Sequence, residues 1–151
     1  MATDSTTAFV LGGGGRLGAA EVGMLSALVD AGIAPDLVLG PSIGAINGVA
    51  IAQDATSGGV AQLRALWSDV ERSGMFGGSF VDRVRHMAAT RTSLHSNEPL
   101  RRLLDQVVGD ARIEDLAVRF QCVAACIETA EATWFARGPV TARLLAPSPV
   151  P

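Results

Sequence analysis

Histidine is nearly absent from this sequence: His86 and His95 are the only two. That scarcity leaves few ways to assemble a Ser-His-Asp triad or a zinc cluster. Cysteine is equally scarce. Cys122 and Cys126 fall four residues apart in what reads as a strand, on one face and too far apart to bond each other. A C-x₃-C pair without further cysteine or nearby histidine makes a poor metal site. Buried free thiols in a reducing compartment are expected instead. No apolar run reaches the roughly 18 residues of a membrane span; the best candidate, which begins after Ser42, is broken by Asn47 and Gln53. A net charge of −3 carries no electrostatic footprint for nucleic acid. The start, Met1-Ala2-Thr3-Asp4-Ser5, has neither the basic region nor the apolar stretch of a secretory signal, so a cytoplasmic location is expected.

What the chain does have is glycine and aliphatic surface. Of 151 residues, 17 are glycine and 48% are hydrophobic, against 18% charged, which excludes a disordered chain and fits one globular α/β domain with a single core. A domain of that length buries roughly 68–70% of its unfolded surface if complete.

The sequence is organised around Gly40-Pro41-Ser42-Ile43-Gly44. An apolar run, Leu37-Val38-Leu39, precedes it and a helical stretch, Ile43 to Ala50, follows. Gly-x-Ser-x-Gly between strand and helix is the pattern of a nucleophile elbow. The glycines Gly40 and Gly44 are needed because side chains there would meet neighbouring backbone. The turn exposes the Ser42 hydroxyl at the positive end of the helix dipole.

Upstream, Thr7 to Leu11 reads as a strand that enters Gly12-Gly13-Gly14-Gly15-Arg16-Leu17-Gly18. A helix follows with Val22, Leu25, Leu28 and Val29 on one face and Gly32 as its stop. Asp36 to Leu39 is the next strand. A right-handed parallel β-α-β unit brings the glycine loop and Ser42 together at the carboxyl ends of the two strands. Residues 13–18 also satisfy G-x-G-x-x-G, ending on Gly18, so a dinucleotide-binding fold competes. That fold wants an acidic residue at the end of the second strand, where this chain has Gly40-Pro41-Ser42, with Asp36 at the beginning. The loop serves better as an oxyanion hole built from the amides of Gly13, Gly14 and Gly15, assisted by the Ile43 amide. Arg16 reads either as a source of positive potential or as a solvated loop arginine.

Beyond the elbow, Val60, Leu63, Leu66, Trp67 and Val70 fall at helical spacing and read as core. Residues 71–96 lose that regularity; this glycine-punctuated insert reads equally as a lid for an acyl chain or as a packed connection. Its Arg83, Arg85, His86 and Arg91 form either a contact for anionic lipid or a solvated basic face. Asn97-Glu98-Pro99 starts a further helix with the stripe Leu100, Leu103, Leu104, Val107 and Val108, ended by Gly109. Arg119 to Thr129 and Ala132 to Ala136 read as two more strands, and a short helix runs from Gly138-Pro139 to about Leu145.

With these motifs in view, the chain resembles the patatin-like phospholipase family. The stretches that carry the likeness are Leu11 to Leu25, with its run Gly12-Gly13-Gly14-Gly15-Arg16-Leu17-Gly18, and Gly40 to Gly48. Asn97 to Leu104 and Ala146 to Pro151 are also similar to family segments. The family usually carries its basic residue directly before the last loop glycine; here Leu17 holds that place and Arg16 stands one earlier. The resemblance implies a three-layer α/β sandwich with a mostly parallel sheet. It implies a Ser–Asp dyad without histidine, Ser42 matching the nucleophile, acting on lipid esters with phospholipid acyl groups foremost. No metal or organic cofactor is implied, and membrane contact is expected to be peripheral and transient.

The family's aspartate belongs to an Asp-Gly motif, and no aspartate in this sequence precedes a glycine. Residues 1–151 are therefore expected to be an incomplete domain, truncated on the carboxyl-terminal side. A serine hydroxyl is a weak nucleophile until a base within about 3 Å takes its proton. A triad through His86 or His95 would need the insert folded over Ser42. Two further readings stand beside the hydrolase: an inactive fragment or pseudoenzyme that binds acyl chains, and a nucleotide-binding module.

Overall fold

The structure, a computed structural model, describes residues 6–72, 98–125 and 131–145. The described strands are β1 (Ala8–Val10), β2 (Leu37–Pro41), β3 (Arg119–Ala125) and β4 (Ala132–Phe135). The described helices are α1 (Gly18–Asp30), α2 (Ser42–Gln53), α3 (Ser57–Arg72), α4 (Glu98–Val108) and α5 (Val140–Leu145). Helix α3 takes in the first two residues of the insert read as lid or connection; the rest of it, with Arg83, Arg85, Arg91 and both histidines, lies outside the described residues, as do Asn97, Cys126 and the segment from Ala146 to Pro151.

The strands form one sheet in the order β1-β2-β3-β4. The first two pairings are parallel and the last is antiparallel. This is the mostly parallel, helix-flanked α/β sheet expected from the sequence. The register aligns Phe9 with Val38 and Phe120, and Gly40 with Cys122 and Phe135. These residues share one face because side chains alternate along a strand, and all of them are buried. The opposite face carries the half-buried Leu37, Leu39 and Val123 and the exposed Val10 and Trp134.

Helix α2 lies against the buried face. Gly48 lets it approach so closely that an added Cβ would stand 3.0 Å from Val38 Cγ1 and 3.2 Å from Phe120 Cε2. Every residue from Ile43 to Ala52 is buried. A helix enclosed all round has no polar stripe to show, which explains its run of alanine, glycine, isoleucine and valine. Helix α1 crosses from β1 to β2, burying Val22 and Leu25, with Leu28 and Val29 half-buried behind them. Helix α3 buries Val60, Leu63 and Val70, and α4 buries Leu104 and Val108. Each large aliphatic side chain taken fully out of water contributes about 1.5–3 kcal/mol, so Leu25, Leu63 and Leu104, all nearly inaccessible, anchor three helices on α2 and the sheet.

Two polar details fix the far side of the domain. The Glu114 carboxylate accepts the Gly138 N–H at 2.7 Å and Arg112 guanidinium N–H groups at 2.8 and 3.0 Å. The Gly138 amide foremost, then the local backbone and Arg112, holds its carboxyl down at about 2. This grip orients the turn that launches α5. Cys122 is a buried free thiol, and burial pushes it up to about 11, so it is held as the unreactive thiol. Among the described residues no helix is long and apolar enough to cross a membrane.

Candidate active site

The β2–α2 junction is built by backbone proximity. Pro41 is extended, with φ −97° and ψ 156°. The next residue, Ser42, turns to φ 50° and is the one non-glycine with positive φ among the described residues. A left-handed serine costs of order 1–3 kcal/mol and persists only where its surroundings impose it. They do so here. A Cβ on Gly40 would lie 2.6 Å from the Gly44 carbonyl carbon, and one on Gly44 would lie 2.5 Å from the Gly12 oxygen. The chain can make this corner, and press it against the neighbouring loop, only with glycine at both places.

The result is an exposed Ser42 at the first turn of α2, where no side chain caps the helix. Backbone N–H groups at a helix start favour negative charge. Immediately beneath, the Ile43 side chain is buried in a cluster with Ile46 and Leu104. The side chain of Ile43 thus anchors the corner while its amide stays at the helix start.

The glycine loop leaves β1 alongside. Leu11 still donates its N–H to the Leu39 carbonyl at 2.8 Å, holding the chain to β2 one residue beyond the end of β1. Gly13 then passes Ser42: a Cβ built on it would be 3.8 Å from both Ser42 Cβ and Pro41 Cγ. Gly15, at φ 59°, turns the chain into a single 3₁₀ turn, Gly15–Leu17, that leads into α1. The N–H groups of Gly13, Gly14 and Gly15 donate to no described residue. Gly13 and Gly14 are exposed and Gly15 half-buried, so these N–H groups can turn to an anionic or carbonyl oxygen that reaches the loop. Gly18 closes the loop against the elbow helix; a Cβ there would stand 2.7 Å from Ile43 Cγ1.

Ser42, the loop glycines Gly13, Gly14, Gly15 and Gly18, and the elbow glycines Gly40 and Gly44 thus share one end of the sheet. Arg16 is exposed and forms no ion pair with a described residue. No described side chain hydrogen-bonds the Ser42 hydroxyl. Asp36, the acid that a dinucleotide site would need at the end of β2, instead accepts the Thr7 N–H at 2.7 Å beside the opposite end of that strand. Among the described residues no group of three or more histidine, cysteine or acidic side chains could hold a metal ion.

A hydrogen-bonded group of Asn47, Glu21 and Trp67 was not read from the sequence. Asn47, on α2, is fully buried. Its Nδ2 donates to the Gly18 carbonyl at 2.9 Å and to Glu21 Oε2 at 2.8 Å, and its Oδ1 accepts from Trp67 Nε1 at 2.9 Å. The second Glu21 oxygen accepts the Gly12 N–H at 2.7 Å. The signal was present: an asparagine inside an otherwise apolar buried helix needs partners. Trp67, assigned to core from its spacing, supplies one of them.

The model of the patatin-like phospholipases matches residues 9–147. The chain is 33% identical over 114 residues to the patatin-like phospholipase domain-containing protein 6 of Homo sapiens, an alignment covering 76% of this chain and 8% of that protein. Its counterpart in Mus musculus matches to the same extent. Identity to the neuropathy target esterase sws of Drosophila melanogaster is 32% over 118 residues, covering 78% of this chain and 8% of that protein. The chain therefore spans about 8% of the length of these curated relatives.

Proposed function

Since the chain belongs to the patatin-like phospholipase family, we propose that it is the nucleophile-bearing part of a serine acyl hydrolase that cleaves lipid carboxylic esters. The observation that carries this reading is the left-handed Ser42 beside Gly13, at the start of a glycine run, Gly13 to Gly15, whose amides donate to no described residue. In the proposed reaction, Ser42 Oγ attacks the ester carbonyl carbon. The electron pair moves onto the carbonyl oxygen, which the glycine amides and the Ile43 amide receive. An aspartate carboxylate, proposed to lie outside this sequence, takes the hydroxyl proton and returns it to the departing alcohol oxygen. The acyl group is left on Ser42. The same carboxylate then takes a proton from water, which attacks the acyl-enzyme; the tetrahedral intermediate collapses, releasing the carboxylic acid and restoring the hydroxyl.

Phospholipid acyl groups are the proposed substrate class. Leu17 supports an apolar ligand: it is 76% exposed and stands next to Gly14 on the loop. An aliphatic side chain held in water on the glycine loop is suited to an acyl chain or to the surface of a bilayer. Contact with that surface is proposed to be peripheral and transient, from the cytoplasmic side.

A fluorophosphonate probe tests the reading. The expected result is one phosphonyl group per chain, mapped to the peptide bearing Ser42 and absent in Ser42→Ala. Saturable fatty-acid binding with no labelling would instead identify an acyl-binding pseudoenzyme.

A further inference from the structure

We propose that Glu21, held by Asn47 and through it by Trp67, is the positioning residue that sets the glycine loop against Ser42. The inference rests on the hydrolase reading above and adds to it the residues that place the donor row. Gly12 is the loop residue directly before the donor row, and its N–H is engaged by Glu21 Oε1 at 2.7 Å. The amides after it, at Gly13 to Gly15, donate to no described residue. Gly12 is also the residue whose carbonyl lies against Gly44 of the elbow, where an added Cβ would approach to 2.5 Å. One peptide group is therefore held from the α1 side by a carboxylate and from the α2 side by close backbone contact. Where Gly12 rests decides how far Gly13 lies from Ser42.

The carboxylate is itself fixed. Asn47 spends one Nδ2 hydrogen on Glu21 Oε2 and the other on the Gly18 carbonyl, three residues earlier on α1. Gly18 and Glu21 share a face of α1 at that spacing. Because Asn47 is fully buried, each bond is costly to lose and the amide has one sensible orientation. Trp67 on α3 sets that orientation by donating to Oδ1. Three helices thus converge on one asparagine, five residues after Ser42 on the same helix, about 7.5 Å along its axis. A carboxylate near a developing anion would oppose the reaction were its charge free, but both oxygens of Glu21 are engaged by donors. It acts through Gly12 and touches no reacting atom.

The test uses the longer protein that carries the proposed aspartate, and a matched pair of substrates, a chromogenic acyl ester and its thionoester, whose sulfur accepts hydrogen bonds poorly. Glu21→Ala is expected to lower kcat on the ester about 30- to 100-fold, in line with a misplacement near 1 Å, with KM changed less than about threefold. It should also shrink the preference for ester over thionoester about tenfold, which a general loss of stability would not do. Glu21→Gln keeps an oxygen for the Gly12 amide and should fall between. Trp67→Phe keeps an aromatic side chain but removes the indole N–H along with part of the ring, and should cost about threefold in kcat with a smaller loss of preference. Should Glu21→Ala not fold, as a thermal melt would reveal, the last two variants decide by the same ratio. The proposal is overturned if Ser42→Ala abolishes turnover while the Glu21 and Trp67 variants keep the wild-type ester preference. Turnover surviving in Ser42→Ala would overturn both this proposal and the hydrolase reading beneath it.

Discussion

Ser42→Ala is expected to lower kcat on an acyl ester by about 10⁴- to 10⁶-fold while leaving the fold intact. Removing a nucleophile leaves only binding and whatever the free amides contribute. The fold should survive because Ser42 is exposed and no described side chain hydrogen-bonds it. Its backbone angle gives the experiment a second axis. Alanine at φ 50° meets the same steric penalty as serine, whereas glycine does not. Ser42→Gly should therefore be as inactive as Ser42→Ala but more stable than wild type by about 1 kcal/mol. A protein that gains stability when its reactive residue is removed holds strain at that residue for chemistry. Unchanged stability in Ser42→Gly would mean the corner is relaxed and the strain argument fails.

Gly44→Ala is expected to produce the largest combined loss. Its Cβ would sit 2.5 Å from the Gly12 oxygen and 2.8 Å from the Leu11 carbonyl carbon. These are backbone atoms of a strand end that β2 already holds, so they cannot swing aside as a side chain would. Relief requires the loop and the elbow helix to part by roughly 1 Å, at a cost of about 1–3 kcal/mol or more. The same movement widens the gap between Ser42 and Gly13, and a misplacement of that size lowers kcat by about 10²-fold. Gly48→Ala is the control on the same helix. Its Cβ would press on Val38 and Phe120 side chains at 3.0 and 3.2 Å. Those side chains can yield slightly, so the stability loss should be smaller and kcat nearly unchanged. Denaturant melts and steady-state kinetics on the pair separate the two effects. Equal kcat in both variants would show that the Gly12–Gly44 contact does not set the loop.

Much of this arrangement could be read from the chain because it depends on short-range rules. Short apolar runs around Phe9 and Val38, helical spacing in α1, α3 and α4, and glycine stops such as Gly32 and Gly109 each depend on a few neighbouring residues. The elbow was legible for the same reason: Gly40, Ser42 and Gly44 lie within five residues of one another. Boundaries shifted where hydrogen bonding outlasted the apolar run. Strand β2 continues to Pro41, two residues past Leu39, because β3 pairs with it that far, Pro41 opposite Val123.

Long-range polar contacts were not legible. Asn47 looked like an interruption of an apolar stretch, yet it joins residues 20 and 26 positions away, Trp67 and Glu21. No local pattern names such partners; only the crossing of α1, α2 and α3 does. Asp36 shows the converse. Its position early in the second strand counted against a dinucleotide site, and the structure gives it a structural task, receiving the Thr7 N–H.

The most direct test of the central claim is rapid-quench mass spectrometry of the longer protein, with its proposed aspartate, turning over an activated acyl ester. The account predicts an acyl adduct on the peptide bearing Ser42, formed in a burst before steady state and lost as the acid is released. Ester turnover with the acyl group never found on Ser42 would contradict it.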